Sequence, residues 1–298
     1  MDIRQLRYFL AIAKEGQITR AAKALNMEQP PLSRQLKLME EELGVALFER
    51  NGKQMRLTEA GTILQQKAQS ILHQLDETMT EIREVDQGVR GALAIGSVFS
   101  CVSLLPDKIK AFRERFPDVT FKILEGDHFT LGEYLQTRNI ELVITRLPFE
   151  SAYPMEQYEL IHLPSDPFVV VLPCEWELGG KQNAISMRQI KDVPLMALKS
   201  DRTVGLNEKV VNECRQFGFE PTIICECSSV AIILALVVAG IGATIMPKSV
   251  MDSFPLAQIK LLEITDTSFQ SEVGIAWLRN RHLSKSARAF IETFSADR

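Results

Sequence analysis

Between Thr58 and Gln87 the chain has no proline and a single glycine, Gly61. Over the same stretch and just beyond it, Leu64, Ala68, Ile71, Leu75, Met79, Ile82, Val85 and Val89 recur at spacings of three and four. That period predicts one helix near thirty residues long, roughly 45 Å at about 1.5 Å per residue. A rod of that length does not fit inside a compact domain. An apolar seam with polar flanks is a coiled-coil pattern, and a buried intramolecular helix is the competing reading. Gly88 and Gly91 mark a hinge after it. The rod therefore divides the 298 residues into a small head, 1–58, a linker, 59–90, and a large body, 91–298.

Charge divides along the same line. The whole chain carries a formal net charge of −4, which gives no hint of a polyanionic partner. Residues 1–58 hold 10 Lys and Arg against 7 Asp and Glu, a net of +3, which leaves −7 on the remainder. A basic head on an acidic body suits local phosphate binding without general stickiness.

In the head, Ile3, Leu6, Phe9, Leu10 and Ala13 keep helical spacing, and Gly16 stops that helix. Thr19 is placed to cap a second, short helix, RAAKAL, whose Ala21 and Ala22 allow close approach. After a turn at Asn26–Glu28, the stretch QPPLSRQLKLMEEELG sets two prolines in the first turn of a third helix, where the missing amides had no partner anyway. Leu32, Leu36, Met39 and Leu43 form its apolar stripe, and Gly44 suits a left-handed cap. Pro30, Arg34 and Lys37 face the other way. Two short helices with a tight turn, the second presenting basic and polar groups, form a helix-turn-helix pattern; a plain three-helix packing unit fits these features equally well. The next segment decides it. VALFERNGKQMRLT reads as two strands around an Asn51-Gly52 turn, with Arg50, Lys53 and Arg56 on and beside the hairpin. A helix-turn-helix followed by a basic hairpin is a winged helix.

The string LRYFLAIAKEGQITRAAKALNMEQPPLSRQLKLMEEELGVALFER, followed by RLTEAG, resembles the LysR-type transcriptional regulators over residues 6–61. The resemblance implies that Gln29, Pro30, Ser33 and Arg34 sit at the DNA-facing start of the recognition helix. Glu28 departs from it, since the family usually carries Ser or Thr there, and Pro31 replaces an alanine. The resemblance also implies that the linker helix pairs two subunits and spaces two winged helices along DNA. By chemistry, Gln29 can pair with an adenine edge, and Arg34 with a guanine edge or a phosphate. Thr19, Arg20, Pro31, Ser33, Lys37, Arg50, Lys53 and Arg56 complete the candidate DNA-contacting set, mostly as backbone contacts.

In the body, apolar strand-like runs (ALAIGSV, VTFKIL, ELVIT, then PFVVVLP, LMAL, TIICEC, ATIMP) alternate with helical stretches. Continuous apolar strands between helices predict parallel sheets covered on both faces. Two successive sets predict two α/β lobes, with EVGIAWLRN crossing back and Leu283–Phe294 as a closing helix. The fold class expected is α/β: an N-terminal winged helix-turn-helix, a long linker helix, and a two-lobed effector-binding domain of periplasmic-binding-protein type, to which the resemblance extends through looser motifs.

Ligands in such sheets sit beyond strand carboxyl ends, near helix N-termini. Candidate effector-binding residues are Ser100, Cys101 and Val102 after the first strand, Asp201, Arg202 and Thr203, and Ser228. Arg146, after ELVIT, can clamp a carboxylate or make a surface salt bridge. His128 can contact a ligand or simply be solvated. Family members that respond to aromatic or related carboxylic acids look similar around Ser100 and Arg146. The effector expected is a small organic anion.

Other readings are weaker. Four histidines without ligand spacing, and no nucleophile-elbow or nucleotide signature, argue against an enzyme. A solute receptor would need a signal sequence and no winged helix. Val230–Met246 is too short and glycine-broken for a membrane span. A redox-sensing regulator of the same family is an alternative because Cys225 and Cys227 share a strand face, where burial makes plain packing the competing reading. The five cysteines, without metal-type spacing, point to the cytoplasm. No cofactor or metal is expected. Expected partners are double-stranded promoter DNA, the effector, a second copy through the linker helix, a homotetramer as the fuller assembly, and RNA polymerase.

Overall fold

The structure is a computed structural model and describes all residues except 52–53, 88, 179–182, 200–204, 253, 255–256 and 296–298. It divides into two compact units, Met1–Asp86 with Gln136–Asn139, and the remaining residues from Gln87 onward. Among the described residues no helix is long and apolar enough to cross a membrane.

The first unit holds α1 (Ile3–Glu15), α2 (Ile18–Ala24), α3 (Gln29–Leu43), the hairpin β1 (Phe48–Asn51) and β2 (Gln54–Leu57), and α4 (Glu59–Gln87). A capping box between Asp2 and Gln5 starts α1, and Gly16 at φ +62° ends it. The core gathers Phe9, Ile12, Ala21, Ala22, Leu32, Leu36, Met39, Leu47 and Phe48. Leu43, expected on the α3 stripe, is 41% exposed as the last residue of the helix, before Gly44 at φ +70°. Thr19 does not cap α2: the helix starts at Ile18 behind Gln17, so Thr19 lies inside it. Asn51, expected in the turn, is the last residue of β1 and pairs with Gln54, while Gly52 lies outside the described residues. Thr58 instead caps α4, accepting the Gly61 N–H at 3.0 Å while donating to the Ala46 carbonyl. Of the two glycines expected to mark a hinge, Gly88 lies outside the described residues and Gly91 opens the next strand.

In the second unit a first lobe contains β3 (Gly91–Ser97), α5 (Leu105–Arg115), β4 (Val119–Glu125), α6 (His128–Gln136) and β5 (Leu142–Arg146). The long strand β6 (Tyr158–Pro173) leaves it for a second lobe of β7 (Ala184–Ile185), β8 (Leu195–Leu198), α7 (Gly205–Gln216), β9 (Ile223–Cys227), α8 (Val230–Val238), β10 (Ala243–Pro247), α9 (Lys248–Asp252) and β11 (Ile259–Ile264). Strand β12 (Gln270–Leu278) returns, and α10 (Lys285–Ser295) closes the first lobe. The strand order is β4-β3-β5-β12-β6-β10-β8-β9, with β11 on β6 and β7 on β11. The sheets are mixed, which corrects the expectation of purely parallel ones. The β3, β4, β5 and β8, β9, β10 sets are parallel, but β12 runs antiparallel to β5 and β6, and β6 antiparallel to β10 and β11. Strands that carry the chain between lobes and back must run opposite to each other.

Both faces of the second lobe are buried. Along β6, Phe168, Val170 and Leu172 join one core with α7 residues Val210 and Cys214. Val169 and Val171 join the other with Val230, Ile233, Leu234 and Val237 of α8. That two-sided burial is why the strand reads as an unbroken apolar run. It also explains the apolar stretch at Val230–Met246, which is one buried helix face and a core strand.

Candidate functional site

Two places gather the residues singled out in the sequence. The first is the amino end of α3. Leu32, Leu36 and Met39 are at most 1% exposed and fix the helix on α1 and α2, so its opposite face is held rigidly at the surface. Gln29, Pro30, Pro31, Arg34 and Lys37 are exposed there, and Ser33 is half-buried. Glu28 is the N-cap residue but makes no side-chain cap bond. Lys37 pairs with Glu41 at 3.3 Å across one exposed turn, a weak tie that a phosphate can replace. On α2, Thr19 and Arg20 are exposed, and Arg20 donates to the Glu15 carbonyl at 2.6 Å. Arg56 lies on the outer face of the hairpin opposite Glu49. Arg50 has a described backbone in β1, and Lys53 lies outside the described residues. The hairpin is tied to the helices by Met55 N–H to the Gly16 carbonyl at 2.8 Å and by Leu47 N–H to Glu40 at 2.8 Å.

The second place is a cleft between the two lobes of the body, about 90 Å³ in volume. One water needs about 10–15 Å³ by the same kind of measure, so the cleft has room for a small organic molecule. Ser100, His128, Arg146 and Ser228 all line it. Cys101 does not: it is fully buried in the first-lobe core, and burial pushes its thiol up to about 11. Val102 borders a separate cavity beside Phe254. Both corrections share a cause, since Phe99–Leu104 forms a single 3₁₀ stretch that turns successive side chains to different sides. Asp201, Arg202 and Thr203 lie outside the described residues.

Arg146 is neither a surface salt bridge nor a free clamp. It is the last residue of β5, 5% exposed, and all three of its guanidinium nitrogens donate hydrogen bonds. It donates to Asp166 at 2.8 Å, to the Ser100 carbonyl at 2.7 Å and to Ser249 Oγ at 3.1 Å. Asp166 in turn accepts the Ser249 N–H at 3.1 Å. His128 is not solvated either. Its Nδ1 accepts the Glu150 N–H at 3.0 Å, so its proton sits on Nε2, 3.0 Å from Thr145 Oγ1. Burial lowers its pKa to about 4, against a smaller opposing pull from Asp127. His128 thus holds the loop after β5 in place.

Sequence reasoning passed over Asp166, Ser249, Glu150, Lys209 and Ser271. Asp166 sits where β6 crosses between lobes, in a segment whose only sequence signal was the apolar run after it. Lys209 Nζ donates to the Leu147 carbonyl at 2.9 Å, and Lys199 pairs with Glu226 at 2.8 Å. These are contacts between distant segments, which no local pattern announces. Cys225 and Cys227 are half-buried against the α8 core rather than fully buried.

Residues 3–62 match the family described as bacterial regulatory helix-turn-helix protein, lysR family, and residues 86–297 match the LysR substrate binding domain. The HTH-type transcriptional regulator BsdA of Bacillus subtilis (strain 168) is 38% identical over 297 residues, covering 99% of this chain and all of that protein. Full-length CbnR in complex with its target DNA superposes with a TM-score of 0.80 at 24% identity, over the whole of both chains. A full-length point variant of OxyR from Pseudomonas aeruginosa gives 0.71 at 27% identity, over 99% of this chain and 94% of that one.

Proposed function

We propose a function from one premise: the chain belongs to the lysR family of DNA-binding transcriptional regulators. It is a regulator and not an enzyme. In our reading, it binds an inverted-repeat promoter site as a dimer, with α3 of each copy in a major groove. The arrangement of α3 carries the proposal: a rigid helix whose buried stripe leaves Gln29, Arg34 and Lys37 at the surface beside a basic hairpin. The prolines that open α3 stiffen the entry of the reading helix.

The dimer is supported by α4. Ile71, Met79 and Ile82 are 42%, 45% and 62% exposed in a single copy, a cost that a second helix would remove. This disfavours the alternative of a helix buried within its own chain. In the cleft, Ser100, Ser228 and Ser271 among apolar walls suit a small carboxylate effector, and its binding shifts the relative pose of the lobes. The regulator works in the cytoplasm, where promoter and polymerase are, and dimers pair into a tetramer.

Footprinting of the full-length protein on the DNA upstream of its own gene, at several salt concentrations, tests the reading. Protection of an inverted repeat, with an affinity that falls steeply with salt, is expected. Gln29→Ala should relax base preference at one position of each half-site by about 1–3 kcal/mol. Equal effects of Gln29→Ala on every sequence would remove Gln29 as a base reader.

A further inference from the structure

Most of the groups that would ordinarily attract an anion into the cleft already face a carboxylate. Arg146 is neutralised by Asp166. The first turn of α6 is capped by Asp127, which accepts the Thr130 N–H at 2.7 Å. Lys199 is held by Glu226. The amino end of α7, a twelve-residue helix, is taken by Glu150 from the opposite lobe: the Gly205 N–H donates to its carboxylate. A Cβ at Gly205 would lie 2.7 Å from Glu150 Oε1, so the carboxylate lies directly against the backbone there. Lys209, one turn along α7, donates to the Leu147 carbonyl and ties the same two segments a second time.

Glu150 is held there at some cost. Its backbone is fixed by His128, and burial with the nearby Glu208 carboxylate raises its pKa. Ser271 has the opposite defect. It lines the same cleft on β12, is fully buried, and its hydroxyl has no hydrogen-bond partner among the described residues. A buried hydroxyl left unpaired is costly, and in a native protein it points to a missing partner.

We propose that Glu150 is a built-in competitor for the cleft: its carboxylate holds the amide end of α7 in the empty protein, a ligand carboxylate takes that place, and the Ser271 hydroxyl gives the ligand a second hydrogen bond. The proposal rests on the reading of the cleft as a carboxylate-effector site. It adds a mechanism: exchange of one carboxylate for another releases Glu150, and with it a strap between the lobes, so binding is coupled to lobe movement. A site occupied by its own side chain binds with an affinity reduced by the fraction of time it is filled.

Titration calorimetry on the full-length protein, with benzoate and its three monohydroxy isomers as probes, separates the outcomes. Glu150→Gln keeps the shape and weakens the competitor, so the best probe should bind about tenfold tighter, a gain of about 1.4 kcal/mol. Glu150→Asp, too short to reach the α7 amide, should do the same. Ser271→Ala should bind about tenfold more weakly with an unchanged or higher melting temperature, since the hydroxyl it removes has no partner. Weaker or unchanged binding by both Glu150 variants overturns the competitor, and unchanged binding by Ser271→Ala overturns the second contact. If no probe binds either the wild type or Glu150→Gln, the carboxylate reading of the cleft falls and the proposal falls with it.

Discussion

Single residues in this protein are set by what buries them. His128 keeps a neutral ring because its Nδ1 accepts a backbone N–H in a place where burial lowers its pKa to about 4. The unfolded chain, with an ordinary histidine near pH 6.5, binds that proton more readily. The stabilisation is therefore complete above about pH 6.5 and is lost as pH falls toward about 4, amounting to about 3 kcal/mol at most. Urea unfolding of wild type and His128→Gln at about pH 7.5 and about pH 4.5 checks this: only the wild type should carry that share of the pH slope. Asp166 faces the reverse situation. Removing it by Asp166→Ala leaves the buried Arg146 charge without its carboxylate and should cost about 3–5 kcal/mol in the same assay. A loss under about 1 kcal/mol would mean that Ser100 and Ser249 alone satisfy the guanidinium. Gly61 is a steric case. A Cβ there would stand 2.1 Å from the Leu47 carbonyl, so Gly61→Ala must push α4 off the hairpin. The head should lose about 3 kcal/mol, read as a lowered melting temperature with DNA affinity falling in parallel.

Elements show which parts of the fold local sequence can announce. The long helix was legible nearly to the residue, Glu59–Gln87, because its period runs unbroken over eight turns and Thr58 caps it. The strand β6 was legible only in its second half. Its first half, Tyr158–Asp166, is half-exposed with a mixed pattern, so nothing in the local alternation marks a strand that spans both lobes. The exposed face of α3 was legible because proline, stripe and glycine agree on one helix. The cleft was legible only in part: Ser100 comes just after β3 and Arg146 ends β5, positions that chain order reveals, while Glu150 and Ser271 are brought in by crossing strands and loops. At this scale α4 gives the sharpest expectation. Ile82→Glu places a charge on the exposed seam and should shift the protein from dimer toward monomer in sedimentation velocity, with an unchanged circular dichroism spectrum. A dimer of undiminished stability would move the contact elsewhere.

At the scale of the whole molecule, the division of charge assigns the work. A head of net +3 suits the polyanion and the remaining residues, 59–298, at net −7 do not, so in our proposal affinity for DNA resides in the head and its regulation in the body. In the dimer we propose, duplication supplies affinity that one winged helix lacks, because the second head binds at the effective concentration set by the rod. The most direct test of that claim is binding of the full-length protein, at moderate salt, to its footprinted operator and to the same duplex with one half-site scrambled. Two heads joined by α4 predict a loss of about 100-fold or more on scrambling, and near-equal affinity for the two duplexes would contradict the account.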